Sequence, residues 1–287
     1  MAEKKEPIKI AFFDIDGVLT PTDEFIPGTS PVITEDSIRV LKEFKRKGFT
    51  LVFITARSAR ELRMKSGFES KISKNGLLKD SLIYASTGLD YITYAHEFKI
   101  KNGKPVFRNG DAIIILRPVV KRETFGSIDQ FLLYKMLLGK EIKQQYKYAG
   151  FRVAPAVASD IVGDARIFFE FVPNTPKERR RAVAEGKRIV EEQRKIFGRT
   201  KKYGTPVDLK VRDIVAGVSI EPRELGKHFG VLRALKACGV MPCDRLIAYA
   251  FGDSKSDRLM KIRKDITFFR VKHEQFIETA EKLLRKV

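Results

Sequence analysis

The chain has 287 residues, 43% of them hydrophobic, and a formal net charge of +20 from 56 Lys and Arg against 36 Asp and Glu, which suits a globular protein of one or two domains. Its apolar runs, such as residues 112–116, fall far short of the roughly 20 residues a membrane span needs, and Met1-Ala2-Glu3-Lys4-Lys5-Glu6 holds no apolar signal region, so no membrane partner and a cytoplasmic location are expected. The basic residues are spread along the chain, and the richest run, 177–181, is interleaved with acids at Glu185, Glu191 and Glu192, which reads as a solvated face and argues against a nucleic-acid partner.

Residues 8–13 predict a buried strand that runs into Asp14 and Asp16, where Gly17 turns the chain. Residues 34–47 predict a helix, with Thr34 as cap, Ile38, Leu41 and Phe44 on one face and Gly48 as the stop. A second apolar run, 49–54, ends in Thr55-Ala56-Arg57; a helix is expected over 58–65 and a third strand over 82–85. Strands that alternate with helices indicate a parallel sheet.

The pattern then changes. Asn102-Gly103 between 98–101 and 105–108 signals a hairpin. A helix is expected over 127–147 and a strand over 167–172. Thr175-Pro176-Lys177-Glu178 forms a capping box with proline at the first helical position, opening a helix to Phe197 that Gly198 should end. One or two strands follow within 207–220. Alternation resumes after Glu221-Pro222 with a helix over 227–238, a strand over 246–251, a strand over 266–269 and a helix over 273–286. The expected fold is α/β: a Rossmann-like parallel-sheet core of residues 1–86 and 223–287, split by an inserted α+β domain of residues 87–222. Cys238 and Cys243 have no further ligand nearby and read as packing or loop cysteines.

Two carboxylates at i and i+2 of a strand end share one side of it. Ligands of open α/β sheets lie outside the carboxyl ends of the strands. Like charges held there repel unless a cation or a proton intervenes. If the strands are parallel, Asp14, Asp16, Thr55, Lys227, Asp253 and Asp257 gather at one sheet edge. Such an oxygen-rich set suits Mg²⁺, which keeps waters and a substrate phosphate. A carboxylate can also serve as the nucleophile of phosphoryl transfer.

In order along the chain, Asp14-Ile15-Asp16-Gly17-Val18-Leu19-Thr20, Thr55, Lys227 and Gly252-Asp253-Ser254 with Asp257 resemble the four motifs of the haloacid dehalogenase superfamily of phosphohydrolases. An insertion between the second and third motifs resembles the branch with a large α/β cap there, which includes sugar-phosphate, mannosylphosphoglycerate and sucrose-phosphate phosphatases and phosphomannomutase. Val18 stands where many members carry threonine, Ser256 where an asparagine is common, and Ala85-Ser86-Thr87-Gly88 where relatives often have asparagine-glycine.

The resemblance implies roles. Asp14 is the nucleophile. Asp16 protonates the leaving oxygen and then activates water. Thr55 binds a phosphoryl oxygen, and Lys227 neutralises the charge on the transferring group. Asp14, the backbone carbonyl of Asp16, and Asp253 hold Mg²⁺, with Asp257 ligating it or orienting Lys227 and a water. The substrate expected is a small phosphorylated metabolite, a sugar phosphate or a phosphoglycerate-like compound. A phosphomutase and a basic nucleic-acid-binding protein on the same scaffold are the alternatives. Arg117, Lys121, Arg122 and Arg152 of the insertion are candidates for a second anionic group, against the reading of a generally basic surface. Arg57 reads as the partner of a nearby acid, Lys210 and Arg223 as rivals to Lys227, and His228 as solvent-facing.

Overall fold

The computed structural model describes residues 6–21, 32–57, 59–62, 68–88, 90–98, 100–101, 104–105, 107–108, 111–112, 114–122, 126–153, 167–199, 209–214, 217–223 and 225–287. The first half of the core comprises β1 (Ile8–Phe13), α1 (Glu35–Arg46), β2 (Thr50–Ile54), α2 (Ala59–Leu62), α3 (Phe68–Lys74) and β3 (Leu82–Ala85). Thr34 caps α1, its hydroxyl accepting from the Ser37 amide at 3.2 Å. Next come β4 (Asp90–Phe98), the short pieces β5 (Ile100–Lys101), β6 (Lys104–Pro105), β7 (Phe107–Arg108) and β8 (Asp111–Ala112), and β9 (Ile114–Arg122). Then follow α4 (Gly126–Tyr148), β10 (Ile167–Phe169), α5 (Pro176–Arg199), β11 (Leu209–Ile214) and β12 (Gly217–Pro222). The chain closes with α6 (His228–Ala237), β13 (Leu246–Gly252), β14 (Ile266–Arg270) and α7 (His273–Leu284). No helix of the described residues is long and apolar enough to cross a membrane.

One seven-stranded sheet runs in the order β14-β13-β1-β2-β3-β4-β9. Its first five strands are parallel, as the alternation of elements predicts. β4 and β9 join antiparallel, so the sheet is mixed, and its pairing continues past residue 86, where the core was expected to stop, to Arg122. The sequence reading missed these two strands. β4 is rich in β-formers, but its partner lies beyond the intervening hairpin pieces, so no tight turn announces the pair. β5 and β6 do pair as a hairpin around positions 102–103, which lie outside the described residues. Two smaller differences concern helices. α3 was not anticipated, and α5 passes through Gly198 to Arg199 instead of stopping there.

Alternate residues of β1 serve opposite faces of the sheet, as the strand period of two requires. Ala11 and Phe13 pack under α1 and α7, whereas Ile10 and Phe12 pack under α6. Both faces are covered, hence the unbroken apolar run. Phe13 contacts the rings of Phe44, Phe53, Phe251 and Phe276 at centroid distances of 5.4–5.9 Å.

Residues 167–222 build a separate three-stranded antiparallel sheet, β10-β12-β11. One of its faces packs with α4 and α5 around Ile142, Tyr146, Phe169, Ala182, Val218 and Ile220, a core of its own. The Thr175 cap of α5 is present, with the Glu178 amide donating to its hydroxyl at 3.1 Å.

Candidate active site

β1 lies at the centre of the large sheet. The chain leaves it toward β2 and β3 on one side and returns to β13 and β14 on the other. That reversal opens a crevice at the carboxyl ends of the strands, where α/β sheets bind ligands. Phe13 is level with Phe53 of β2 and Phe251 of β13, so Asp14, Thr55 and Asp253 emerge at the same edge. The period of two puts Asp14 on the face of Ile10 and Phe12, the face α6 covers. Lys227 is the residue from which α6 starts.

Lys227 is buried, and its Nζ lies 2.5 Å from Asp14 Oδ2 and 2.6 Å from Asp257 Oδ1. Asp257 sits in the turn Lys255–Met260, and its Oδ2 accepts from both the amide and the hydroxyl of Ser254 at 2.8 Å. A side chain at Gly252 would place its Cβ 2.2 Å from the Asp257 Cβ, so only glycine lets the turn fold back this far. Ligand oxygens of Asp14, Asp253 and Asp257 all lie within 4.8 Å of one another. Three carboxylates so close form an all-oxygen donor set that fits a hard divalent cation.

The electrostatics follow from this crowding. Burial pushes the Asp14 carboxyl well above the usual range; Lys227 pulls it back, while Asp257 and Asp16 push it further up. Burial and then Asp257 push Asp253 up to about 6. Burial also acts on Asp257, but Lys227 outweighs it and holds that carboxyl below its ordinary value. Lys227 itself loses affinity for its proton through burial and regains more from Asp14 and Asp257, ending above the usual lysine range.

The Asp16 carboxylate does not join that cluster. Arg57 holds it, with Nε 2.9 Å from each oxygen and Nη2 2.8 Å from Oδ1. Thr55 is fully buried; its amide donates to the Tyr84 carbonyl at 3.0 Å and its hydroxyl accepts from the Arg57 amide at 3.1 Å. The structure thus brings Asp14, Lys227, Asp253 and Asp257 into one network, with Thr55 and the Asp16–Arg57 pair beside it. Sequence reasoning set Arg57 aside and missed Ser254; the family-like position of Arg57 and the Ser-x-x-Asp capping box were the signals available.

Of the rivals to Lys227, Lys210 binds the carbonyls of Arg223 and Leu225 and does not enter this network. His228 is half-buried: part of it faces solvent, as expected, but its Nδ1 is buried and has no hydrogen-bond partner. Arg152 is exposed, and the side chains of Arg117, Lys121 and Arg122 lie outside the described ones.

No protein-family model matches the chain, and no curated protein is similar to it in sequence. Solved structures do match its fold. A Thermoplasma acidophilum protein is 13% identical at a TM-score of 0.56, over 98% of this chain and 100% of its own. An Aspergillus fumigatus trehalose-6-phosphate phosphatase is 13% identical at 0.51, over 97% of this chain and 93% of its own. A Plasmodium falciparum IMP-nucleotidase is 14% identical at 0.57; the match covers 97% of this chain and 62% of the nucleotidase. The order of motifs along the chain, their convergence at one sheet edge and these likenesses agree that the chain has the haloacid dehalogenase fold.

Proposed function

We propose that the chain is a Mg²⁺-dependent phosphomonoester hydrolase that works through an aspartyl-phosphate on a small phosphorylated metabolite. The observation that carries this reading is Asp14: buried at the central strand end, 2.5 Å from the Lys227 ammonium, and within 4.8 Å of Asp253 and Asp257. The oxygen donor set supports Mg²⁺ held by Asp14, Asp253 and Asp257, with the Asp16 backbone carbonyl as a further ligand. When bound, the ion supplies positive charge that keeps Asp14 ionised and offsets the charge of the phosphoryl oxygens.

Asp14 attacks phosphorus through a carboxylate oxygen, and the bond to the leaving oxygen breaks as that oxygen takes a proton from Asp16. Water then attacks phosphorus, giving its proton to Asp16, and phosphate leaves as Asp14 is regenerated. Lys227 and the Thr55 hydroxyl hold the transferring group. Residues 87–222 act as a cap that selects the leaving group. The names of the structural neighbours, phosphatases of trehalose-6-phosphate and IMP, support a phosphorylated small molecule as substrate.

The test is release of inorganic phosphate from a broad panel of phosphomonoesters, with Mg²⁺ and with chelator. Release that chelator abolishes is expected. Silence across the panel from a folded protein would sink the proposal.

A further inference from the structure

Phe276 sets the register of α7: its ring packs 5.9 Å from Phe13 and 5.2 Å from Phe251, at the ends of β1 and β13. Residues three apart share one face of a helix, and α7 follows directly on β14. His273, one turn back toward the helix start, therefore reaches the carboxyl edge of the sheet. There it meets the loop that follows β1. Its Nδ1 lies 2.8 Å from the Val18 carbonyl oxygen. A carbonyl only accepts, so Nδ1 carries the proton and donates. Its Nε2 lies 3.3 Å from the hydroxyl of Thr34, the cap of α1. Thr34 donates to the Ser37 hydroxyl at 3.0 Å, and Ser37 donates to the Leu19 carbonyl at 3.0 Å. Two successive carbonyls of the loop are thus held from the starts of α7 and α1.

The loop is tied to itself as well. The Ile15 carbonyl accepts from the Leu19 and Thr20 amides at 3.0 and 3.1 Å, and from the Thr20 hydroxyl at 3.3 Å. Gly17, at φ +77°, lets the chain turn this tightly. So closed a turn moves as one piece, and both proposed catalytic carboxylates ride on it. The Ile15 amide donates to Asp14 Oδ1 at 2.7 Å, while Lys227 holds Oδ2. Asp16 lies within the turn, in the grip of Arg57. Tilting the turn at its Val18–Leu19 end would draw the Ile15 amide off Asp14 and carry Asp16 out of the guanidinium.

We infer that His273 is a positioning residue: it clasps the turn at the Val18 carbonyl and so sets the aim of Asp14 and Asp16. The inference rests on the phosphatase reading and adds to it a side chain from the last helix, 255 positions from the carbonyl it holds. Of its two contacts, the one to Val18 reaches the turn directly. The one to Thr34 reaches it only through two hydroxyls, so the first carries the effect.

The test compares His273→Ala, His273→Asn and His273→Gln in the full chain. Asparagine keeps a donor at the place of Nδ1 and gives up the reach to Thr34. Glutamine carries its amide out to the place of Nε2 and gives up the bond to Val18. Phosphate release with Mg²⁺ should show kcat about tenfold lower in His273→Ala, the scale of a slightly misplaced catalytic group. KM should stay within about twofold of the parent, since Lys227 and Thr55 still hold the phosphoryl group. His273→Asn should recover most of the rate and His273→Gln little of it, at similar melting points. An unchanged kcat in His273→Ala, equal recovery by glutamine and asparagine, or rates that follow the melting points alone overturn the positioning role. A second readout needs no turnover. The amide proton resonance of Ile15, shifted by its bond to Asp14, should move in His273→Ala and return in His273→Asn but not in His273→Gln. If the unsubstituted chain releases no phosphate yet this resonance behaves as stated, the phosphatase reading falls and the clasp on the turn stands. A resonance indifferent to His273 overturns the clasp whatever the rates.

Discussion

Arg57 grips the Asp16 carboxylate as a fork: Nε lies 2.9 Å from both oxygens and Nη2 2.8 Å from one of them. The guanidinium is buried, so the pair is shielded from solvent on that side. A fork offers donors only. In the proposed mechanism Asp16 first gives a proton and then takes one, so its carboxylate would have to leave this donor-only fork to carry the proton. Arg57 thereby fixes where the Asp16 carboxylate stands in this structure.

Loss of this fork should therefore show in the chemistry and not only in stability. Arg57→Gln is expected to lower kcat about tenfold to a hundredfold, the scale of a misplaced catalytic group. The loss should be greater for alkyl phosphates, which need an acid, than for p-nitrophenyl phosphate. Arg57→Lys keeps the charge but not the paired geometry and should recover only part of the rate. Steady-state kinetics on both substrate types decide this; equal losses would mean that Arg57 supports the fold alone.

Asp14→Asn keeps the volume of the side chain and removes the proposed nucleophile. Turnover is expected to fall at least about a thousandfold, as when a covalent catalyst is deleted. Far-ultraviolet circular dichroism should remain that of the parent. A substantial residual rate would reassign the nucleophile.

Much of this site was readable in the sequence because it is local. An apolar strand followed by Asp14 and Asp16, or by Gly252 and Asp253, carries its own evidence of a strand end, and the parallel alternation says where strand ends meet. Lys227 was readable as the residue opening a helix. What escaped is non-local. The β4–β9 pairing joins residues 90–98 to 114–122 across an intervening hairpin, and no short-range signal encodes it. That Arg57 pairs with an acid was readable; that the acid is Asp16, 41 positions away, was not. The burial of Glu221 and Ser219 on β12 had no signal in the sequence, because it depends on what the tertiary fold lays against them.

Lys227 separates two buried carboxylates, at 2.5 Å and 2.6 Å. Lys227→Met leaves Asp14 and Asp257 without their cation. Breaking such a buried pair costs about 3–5 kcal/mol. The variant should melt well below the parent in chelator, and added Mg²⁺ should restore more stability to it than to the parent, because ligand binding to the native state stabilises by mass action. Melting curves with and without Mg²⁺ check this; an unchanged melting point in chelator would show that the lysine adds little to the buried network.

Asp253 gives the pH dependence of ion binding. Its carboxyl, pushed up to about 6 by burial and then by Asp257, holds a proton that an unfolded aspartate, near pH 3.9, has lost. In the metal-free protein this group's contribution to stability is full below about pH 4 and is lost as pH rises through 6. A bound cation needs the ionised form, so the rise in Tm caused by Mg²⁺ should be small at pH 5 and large at pH 7.5. Asp253→Asn should flatten the difference. The same shift at both values in the unsubstituted chain would remove Asp253 from the ligand set.

Gly88 shows how the scaffold holds Lys227 in place. It follows Ser86 and Thr87, all three with positive φ, and its own φ is +100°. A Cβ there would lie 2.3 Å from the Gly230 nitrogen and 3.1 Å from the Phe229 carbonyl carbon, both in the first turn of α6. Arg233 ties the same turn down, donating from Nη1 to the Gly88 carbonyl at 2.7 Å. Backbone cannot give way as a flexible side chain can, so Gly88→Ala must push α6, and Lys227 with it, off the sheet edge. A loss of at least about 2 kcal/mol is expected, together with a fall in turnover. Gly76→Ala is the control, since Gly76 has φ +68° but open space around its missing Cβ. It should cost about 1 kcal/mol for the backbone alone and leave turnover unchanged. Denaturant melts and phosphate-release rates on both variants separate strain from contact: equal losses would show that the approach of Gly88 to α6 does not matter, whereas a rate loss confined to Gly88→Ala would tie the placement of the lysine to a turn more than a hundred residues away in sequence.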